Sequence, residues 1–315
     1  MSSQLRKAIK EEGVIVAPGV FNPIVALLAE RIGFRALYFS GGAFANSLAL
    51  PDLGVTTLSE VVRAASEITS VINVPLIVDV DTGFGEALNV MRTVELMERA
   101  NVAAIHIEDQ VMPKKCGHLP NKEVVPTEEM VKKIIVAKQT SKSGIVVIAR
   151  TDARAVEGLD SAIERAQTYV KAGADMIFPE ALESEDEFKE FAKKVHAPLL
   201  ANMTEFGKTP YIEVSKFEEM GYKVVIFPMT AFRVMLKAVE EALKELKQKG
   251  TQKGLLHKML TREQIYELIS YYKYEQTDRL LHEKALALLS FSKPKKGAWC
   301  NTFHRVFKRG DCAVC

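Results

Sequence analysis

The 315-residue sequence lacks the features that mark membrane and secreted proteins. No run of 18 or more apolar residues occurs, so a membrane-spanning helix is not expected. The opening segment, MSSQLRKAIKEEG, has no apolar core of the signal-peptide type. Only Cys116 lies outside the last sixteen residues, which argues against a disulfide framework. We therefore expect a cytoplasmic protein with no membrane partner.

Positive charge is concentrated in the tail, residues 293–315. The tail carries six Lys or Arg and one Asp, a net charge of +5, whereas the whole sequence carries +2. The remainder therefore carries −3 and shows no basic stripe, so a nucleic-acid partner is not expected. We predict that the tail is a disordered extension or one foreign to the natural chain. Three alternatives stay open: a thiol or contact role, a C-terminal prenylation box, and a metal site from Cys300, His304, Cys312 and Cys315.

Eight short apolar runs alternate with amphipathic helical segments. The runs are rich in Val, Ile, Leu or Phe, as strands covered on both faces are; they span 14–20, 36–40, 75–81, 103–109, 145–151, 176–180, 198–203 and 223–228. The helical segments span 22–33, 57–71, 86–99, 126–142, 158–172, 184–195, 210–220 and 230–248. This order predicts a closed (β/α)8 barrel of the TIM type. The chief alternative is an open doubly wound sheet, but no Gly-x-Gly-x-x-Gly turn follows the first strand.

A further helical stretch, 262–290, follows the eighth unit after a linker at 250–254. It is rich in Tyr and Leu for a terminal helix, so we expect it to pack on a neighbouring subunit or across the barrel. We assign residues 1–292 to one barrel domain with extra C-terminal helices.

Polar residues follow the predicted strands at their C-terminal ends, where barrels of this type carry their active sites. They are Ser40, Gly41, Gly42, Asp79, Asp81, His106, Glu108, Asp109, Arg150, Asp152, Glu180, Asn202, Thr204, Glu205 and Arg233. The strand starts are apolar or small. So many polar ends on one rim predict a shared functional site.

The acids on this rim indicate a divalent cation. Asp79 and Asp81 are two residues apart on a predicted strand, so their side chains face the same way. With Glu108 and Glu180 they offer oxygen ligands for Mg²⁺ or Mn²⁺, directly or through water. Caps of loops or helices are the alternative role for the two aspartates. His106 points to the same side as Glu108, and we expect it to orient that carboxylate.

The basic and glycine residues on the rim indicate a polyanionic substrate. Arg150 and Arg233 carry rigid guanidinium forks that match carboxylates. Backbone N–H groups at Ser40, Gly41 and Gly42 can approach a carboxylate closely because glycine has no Cβ.

The loop at 110–125 is long for a connection between strand and helix, which is typical of a lid over an active site. It contains Cys116, flanked by Lys114, Lys115 and His118. Such an electropositive setting favours a thiolate. The alternative is a small buried cysteine beside surface lysines.

Several segments resemble the isocitrate lyase and phosphoenolpyruvate mutase superfamily. They are Lys114-Lys-Cys-Gly-His118, Ser40-Gly-Gly42, Asp79-Val-Asp-Thr-Gly-Phe-Gly85, Ala149-Arg-Thr-Asp152, Phe178-Pro-Glu180 and Asn202-Met-Thr204. The resemblance covers about 5–290 and is greatest to the branch that cleaves 2-methylisocitrate. It implies a Mg²⁺-dependent carbon–carbon lyase that forms pyruvate and succinate in the methylcitrate cycle of propionate catabolism. It also implies a homotetramer whose subunits exchange their last helices.

The resemblance also implies roles for individual residues. Asp79 and Asp81 would anchor the metal ion, with Glu108 behind its water shell. Cys116 would donate a proton to the succinate carbanion, with Lys114 and His118 stabilising the thiolate; Tyr38 is one candidate for the base. The tricarboxylate would contact Ser40, Gly41, Gly42, Cys116, Gly117, Arg150, Glu180, Asn202, Thr204, Arg233 and Arg262.

Three alternative functions stay open. The first is isocitrate cleavage. The second is another superfamily reaction, such as a mutase reaction or hydrolysis of oxaloacetate or phosphonopyruvate, against which the thiol-bearing loop argues. The third is a binding protein on an inactive barrel.

Overall fold

The computed structural model describes residues 1–291, in which eight parallel strands form a barrel. The strands are β1 Ile15–Val20, β2 Leu37–Phe39, β3 Leu76–Asp79, β4 Ala104–Glu108, β5 Val146–Thr151, β6 Met176–Pro179, β7 Leu200–Asn202 and β8 Val224–Phe227. Neighbouring strands pair in parallel in the order β6-β5-β4-β3-β2-β1-β8-β7. A bridge between Ile177 and Leu199 joins β6 to β7, and the Ile177 N–H donates to the Pro198 carbonyl at 3.0 Å. The predicted (β/α)8 fold is confirmed.

Residues 1–291 form thirteen α-helices, of which the first eleven flank the strands of the barrel. They are α1 Ser2–Lys10, α2 Pro23–Ile32, α3 Gly41–Ser47, α4 Leu58–Thr69, α5 Ala87–Arg99, α6 Thr127–Thr140, α7 Arg154–Glu157, α8 Leu159–Lys171, α9 Glu185–Lys194, α10 Val214–Glu219, α11 Thr230–Lys249, α12 Arg262–Leu268 and α13 Tyr271–Phe291. The sequence did not predict α1 or α3. Helix α10 begins at Val214 rather than 210, because Pro210 and the residues after it stay irregular.

Local signals set the helix ends. Asn22 caps α2 by accepting the Val25 N–H at 3.0 Å, and Gly33 ends it with a φ of 105°. Thr57 and Glu60 form a capping box at the start of α4. These elements are therefore fixed by nearby residues as well as by packing on the barrel.

Apolar side chains fill the barrel interior and close its N-terminal end. Leu5 of α1 is buried in one cluster with Ile15, Ile77 and Val146 from the strands. A second, larger apolar layer lies between the strands and the surrounding helices. This packing leaves the C-terminal ends of the strands as the polar end of the barrel.

The chain divides into two compact units, Met1–Met259 and the segment from Leu260 onward. In the second unit, the helical stretch predicted at 262–290 is two helices, because Ser270 adopts a left-handed φ of 56°. Thr261 caps the first of them in a capping box with Gln264. The linker expected at 250–254 is shorter than predicted. Gly250 ends α11, and a 3-10 helix already begins at Lys253 and runs to Lys258.

The C-terminal tail and the membrane-spanning potential of the helices were also considered in the sequence. The tail at 293–315, and with it every role considered for Cys300, His304, Cys312 and Cys315, lies outside the described residues. Over residues 1–291, none of the helices combines the length and apolar character needed to cross a bilayer. The single domain assigned to 1–292 and the exchange of helices between subunits stay predictions.

Candidate active site

The polar strand ends converge on one rim, as predicted. Glu108 ends β4 and Arg150 lies near the end of β5, and Arg150 Nε is 3.3 Å from Glu108 Oε2. Glu180 directly follows β6, with its Oε2 3.9 Å from Arg150 Nη1. Asn202 ends β7 and its amide donates to Glu180 at 3.3 Å. All four side chains are buried, so the rim is a connected polar cluster rather than a set of solvated loops.

Asp79 and Asp81 lie together for a different reason from the one predicted. Strand β3 ends at Asp79, and Asp81 has a left-handed φ of 47°, so strand alternation does not extend to it. Instead, the Asp81 N–H donates to Asp79 Oδ1 at 3.0 Å in a tight turn. On the other side of Asp79, a Cβ on Gly41 would lie only 2.7 Å from Oδ2. Gly41 therefore allows the β2 loop to approach this carboxylate.

The acids fit a divalent cation, although not as a complete ligand set. Asp79, Asp81 and Glu108 are all buried, and burial raises the pKa of each. Neither oxygen of Glu108 has a hydrogen-bond partner. Across residues 1–291, no three His, Cys, Asp or Glu side chains already converge as a metal-ligand group. The arrangement suits an ion held partly through water, which would stabilise the charged carboxylates.

A lysine and an aspartate add a contact that the sequence did not predict. Lys114 is buried, its Nζ is 2.6 Å from Asp81 Oδ1, and it also pairs with Asp52. Burial acts to lower the pKa of Lys114, but the carboxylates around it raise that pKa well above its usual value. A Cβ on Gly42 would approach Asp52 Oδ2 to 3.0 Å. The sequence did not predict that Asp52 pairs with Lys114, because a single Asp in an irregular loop belongs to no recognisable motif.

The loop at 110–125 lies over the rim. Its two arms are joined by a bridge between Gln110 and Val124. At its crest, His118 Nε2 lies 3.0 Å from Glu180 Oε1, and His118 Nδ1 accepts the Lys208 N–H at 3.0 Å. Gly117 packs so closely on Glu180 that a Cβ would overlap the carboxylate. The crest therefore touches two other strand loops.

Cys116 lies at this crest, but the electropositive setting predicted for it is wrong. Lys114 is paired with acids, Lys115 Nζ is bonded to the Asn121 carbonyl at 2.7 Å, and His118 contacts Glu180. Burial raises the pKa of the Cys116 thiol, and a backbone hydrogen bond from His118 only partly offsets this. The group is therefore a thiol at neutral pH, the form that a proton donor requires.

Tyr38 and His106 form a buried pair behind Asp79. Tyr38 Oη and His106 Nε2 are 2.7 Å apart, and the same nitrogen is 3.4 Å from Asp79 Oδ1. His106 thus contacts Asp79 and Tyr38 and does not orient Glu108 as expected. Burial lowers the pKa of His106 to about 3 and raises the pKa of Tyr38 well above its usual value. Both groups are neutral, which weakens Tyr38 as a candidate base.

Three more predicted substrate residues, Ser40, Thr204 and Arg233, follow strands β2, β7 and β8. Ser40 caps α3 by accepting the Ala43 N–H at 3.2 Å. Thr204 is buried after β7. Arg233 Nη1 bonds Glu205 Oε2 at 2.8 Å and therefore contacts the β7 loop. Arg262 begins α12 in the second unit, so its role stays a prediction.

Curated relatives share nearly the whole chain. The family described as phosphoenolpyruvate phosphomutase matches residues 5–247. A 2-methylisocitrate lyase of Aeropyrum pernix is 61% identical over 286 residues, which cover 91% of this chain and 92% of that one. The residues matched by the family model include all eight strands and the polar residues that directly follow them.

Solved structures share the fold. A 2,3-dimethylmalate lyase, described as a member of the PEP mutase/isocitrate lyase superfamily, has a TM-score of 0.84 at 36% identity and covers 89% of this chain and 95% of its own. A phosphonopyruvate hydrolase in complex with oxalate and Mg²⁺ has a TM-score of 0.80 at 30% identity, covering 88% and 98%. The chain therefore belongs to the phosphoenolpyruvate mutase/isocitrate lyase superfamily and, within it, to the 2-methylisocitrate lyases.

Proposed function

We propose that this enzyme cleaves 2-methylisocitrate to pyruvate and succinate, with Mg²⁺ or Mn²⁺ as its cofactor and Cys116 as the proton donor. The observation that carries the proposal is the position of the loop. Lys114 and His118, on either side of Cys116, contact Asp81 and Glu180 on opposite parts of the rim. An un-ionised thiol on a loop that contacts buried acids able to hold a cation supports the proposal.

The charge balance of the cluster supports a metal-assisted reaction of a polyanion. Its acids outnumber its permanent cations; they are Asp52, Asp79, Asp81, Glu108, Asp152 and Glu180 against Lys114, Lys122 and Arg150. A tricarboxylate would add further negative charge, which buried sites accept only with compensation. Asp79 and Asp81, with Glu108 through water, are the residues that would hold a divalent cation. When bound, such an ion supplies Lewis-acid stabilisation of negative charge on oxygen.

Arg150 is the residue best placed to orient the substrate. Its Nε and Nη2 both donate to the Asp152 carboxylate, at 2.9 and 3.2 Å. This side-on pair fixes the guanidinium plane. Nη1 lies beyond hydrogen-bond distance of Glu180 Oε2 and is the edge available to a substrate carboxylate. Arg150 also lies over the Phe178 ring, 5.2 Å from its centroid, which excludes water from one face.

The reaction itself is a retro-aldol cleavage. A base takes the proton of the tertiary hydroxyl group. Tyr38 remains the candidate: because its phenol is neutral, it accepts that proton only as its own phenolic proton passes to His106 Nε2, 2.7 Å away. The C2–C3 bond breaks, the hydroxyl carbon becomes the carbonyl of pyruvate, and the electron pair stays on the succinate fragment. Cys116 Sγ gives its proton to that carbon and becomes a thiolate. A thiol with a raised pKa holds this proton until the carbanion forms.

A coupled assay of pyruvate release from 2-methylisocitrate tests the proposal. We expect turnover that stops when a chelator is added and returns with Mg²⁺. Isocitrate, measured in the same assay through glyoxylate, is the second candidate substrate, because one methyl group changes binding by only about 1–3 kcal/mol. Hydrolysis of oxaloacetate or phosphonopyruvate without cleavage of either lyase substrate would contradict the proposal.

We also propose a homotetramer. Helix α11 exposes an apolar series on its outer face: Val234, Leu236, Val239, Leu243 and Leu246. Helix α13, in the second unit, exposes Leu280, Leu281, Leu286 and Leu288. Apolar surfaces of this extent are typical of subunit interfaces. Light scattering at micromolar concentration would measure four chains, and a monomer would contradict this.

A further inference from the structure

Lys122 lies on the returning arm of the 110–125 loop, and so far it has entered only the charge balance of the cluster. Its side chain is 1% exposed, although it carries a charge and belongs to a surface loop. Nζ lies 2.7 Å from Asp152 Oδ1 and also bonds the Gly117 carbonyl. A lysine is rarely buried so fully unless it is paired, so these two contacts define what the ammonium group does.

The two contacts connect the reacting thiol to the substrate-binding arginine. The Gly117 carbonyl belongs to the residue directly after Cys116, at the crest of the loop. Asp152 is fully buried and holds Arg150 through two hydrogen bonds. One ammonium group therefore bonds both the crest of the loop and the carboxylate that orients Arg150.

We propose that Lys122 is a positioning residue whose ammonium group keeps the Cys116 loop closed over the rim and aligns it with Arg150. The inference deepens the proposed function, since it assigns a role in presenting the Cys116 proton, but the closure itself does not depend on the substrate. When the loop opens, Lys122 becomes solvated and Asp152 keeps Arg150. The ammonium group therefore favours the closed state, in addition to the contacts that Lys114 and His118 make with the rim.

The direct test compares Lys122→Met with the unaltered chain. Methionine keeps the apolar stem of the side chain and removes the charge. We expect iodoacetamide to modify Cys116 about tenfold faster or more, as measured on the Cys116 peptide by mass spectrometry without substrate. In turnover we expect kcat to fall about 100-fold with KM changed less than about threefold, because the thiol is misplaced while substrate contacts remain.

Glu123→Gln is the matched control. Glu123 directly follows Lys122 on the same loop, and its exposed side chain loses one charge without changing either contact of Lys122. This change should leave the alkylation rate of Cys116 and kcat unchanged. Unfolding by urea in both variants separates opening of the loop from loss of the fold, since the barrel keeps the Asp152–Arg150 pair.

A second measurement uses the unaltered chain, in case Lys122→Met does not fold. Acylation with acetic anhydride should label Lys115 at least tenfold faster than Lys122, and the slow labelling of Lys122 should match the protection of Cys116. An unchanged Cys116 alkylation rate in Lys122→Met, or equal acylation of Lys122 and Lys115, would overturn the inference. Absence of lyase activity in the unaltered chain would instead contradict the proposed function and leave both labelling tests valid.

Discussion

His118 Nε2 lies 3.0 Å from Glu180 Oε1, and this contact joins the loop after β4 to the end of β6. The Lys208 N–H donates to the other nitrogen of the same ring, so Nδ1 accepts and the ring proton is on Nε2, the nitrogen nearest Glu180. Burial would raise the pKa of Glu180, but Arg150 and His118 reverse this and hold the pKa of Glu180 well below its usual value. The crest that carries Cys116 is thus held against a carboxylate that is charged at neutral pH.

Gly117→Ala should disrupt this contact. A Cβ at residue 117 would overlap the Glu180 side chain, so the crest must move outward. We expect kcat to fall about 100-fold, the loss typical of a small misplacement of reacting groups, with little change in the unfolding midpoint. Steady-state kinetics and thermal unfolding measure both. Leu119→Ala, at an exposed site of the same loop, is the control and should behave as the unaltered chain; equal kinetics in both variants would refute the packing argument.

The reactivity of Cys116 should depend on pH in one direction. Burial raises the pKa of the thiol, so the thiolate forms only above the ordinary thiol value of about 8.5. The rate of iodoacetamide labelling should rise with pH, with a midpoint above that value, because the thiolate is the nucleophile. Over the same range kcat should fall, since the proton donor is lost. A labelling midpoint at or below pH 8 would show a resting thiolate instead.

Glu108→Gln tests the metal site without relying on turnover. Both Glu108 oxygens lack hydrogen-bond partners, which suits a carboxylate that acts on a metal-bound water. After treatment with a chelator, calorimetric titration of Mg²⁺ should show about 10–100-fold weaker binding in this variant. Glu95→Gln, which removes a charge from an exposed site on α5, should bind Mg²⁺ normally. Identical affinities in the two variants would remove Glu108 from the metal site.

Arg6→Ala should destabilise the N-terminal end of the barrel, opposite the rim that carries the site. Arg6 makes two hydrogen bonds to the Asp175 carboxylate, at 2.9 and 3.0 Å, and a third to the Gly144 carbonyl at 2.8 Å. Because Arg6 is partly exposed, we expect a loss of about 1–2 kcal/mol in the free energy of unfolding. Arg35→Ala, which removes one surface ion pair of 3.5 Å to Glu11, should cost less than about 0.5 kcal/mol. Urea unfolding measures the loss of stability in each variant. Equal losses would show that the hydrogen bonds of Arg6 do not stabilise the barrel more than a surface ion pair does.

The barrel was predictable because its signals are local and repeated. Each strand is a short apolar run, and helices such as α2 carry their own caps. Helix α1 escaped prediction because its apolar face is short, and only the barrel interior explains the burial of Leu5. Ser270 separates α12 from α13 by adopting a left-handed backbone conformation. A serine in the sequence does not predict this conformation, which is typical of glycine.

The sequence predicted which residues form the site but not which of them contact one another. Strand ends located Asp79, Glu108, Arg150 and Glu180 because parallel strands meet at one rim. Pairing between distant segments was hidden, so the lysine that seemed to activate Cys116 is in fact bound to Asp52 and Asp81. Contacts of this kind depend on how loops fold over the rim, and no spacing in the sequence encodes them.

Cys116→Ser measures the central claim most directly. We expect the unaltered enzyme to release pyruvate from 2-methylisocitrate in the presence of Mg²⁺. We expect the serine variant to keep its fold and Mg²⁺ affinity but to lose about 10³-fold in kcat or more. The hydroxyl group of serine is too weak an acid to replace the thiol. Pyruvate release by Cys116→Ser at close to the rate of the unaltered enzyme would contradict the account.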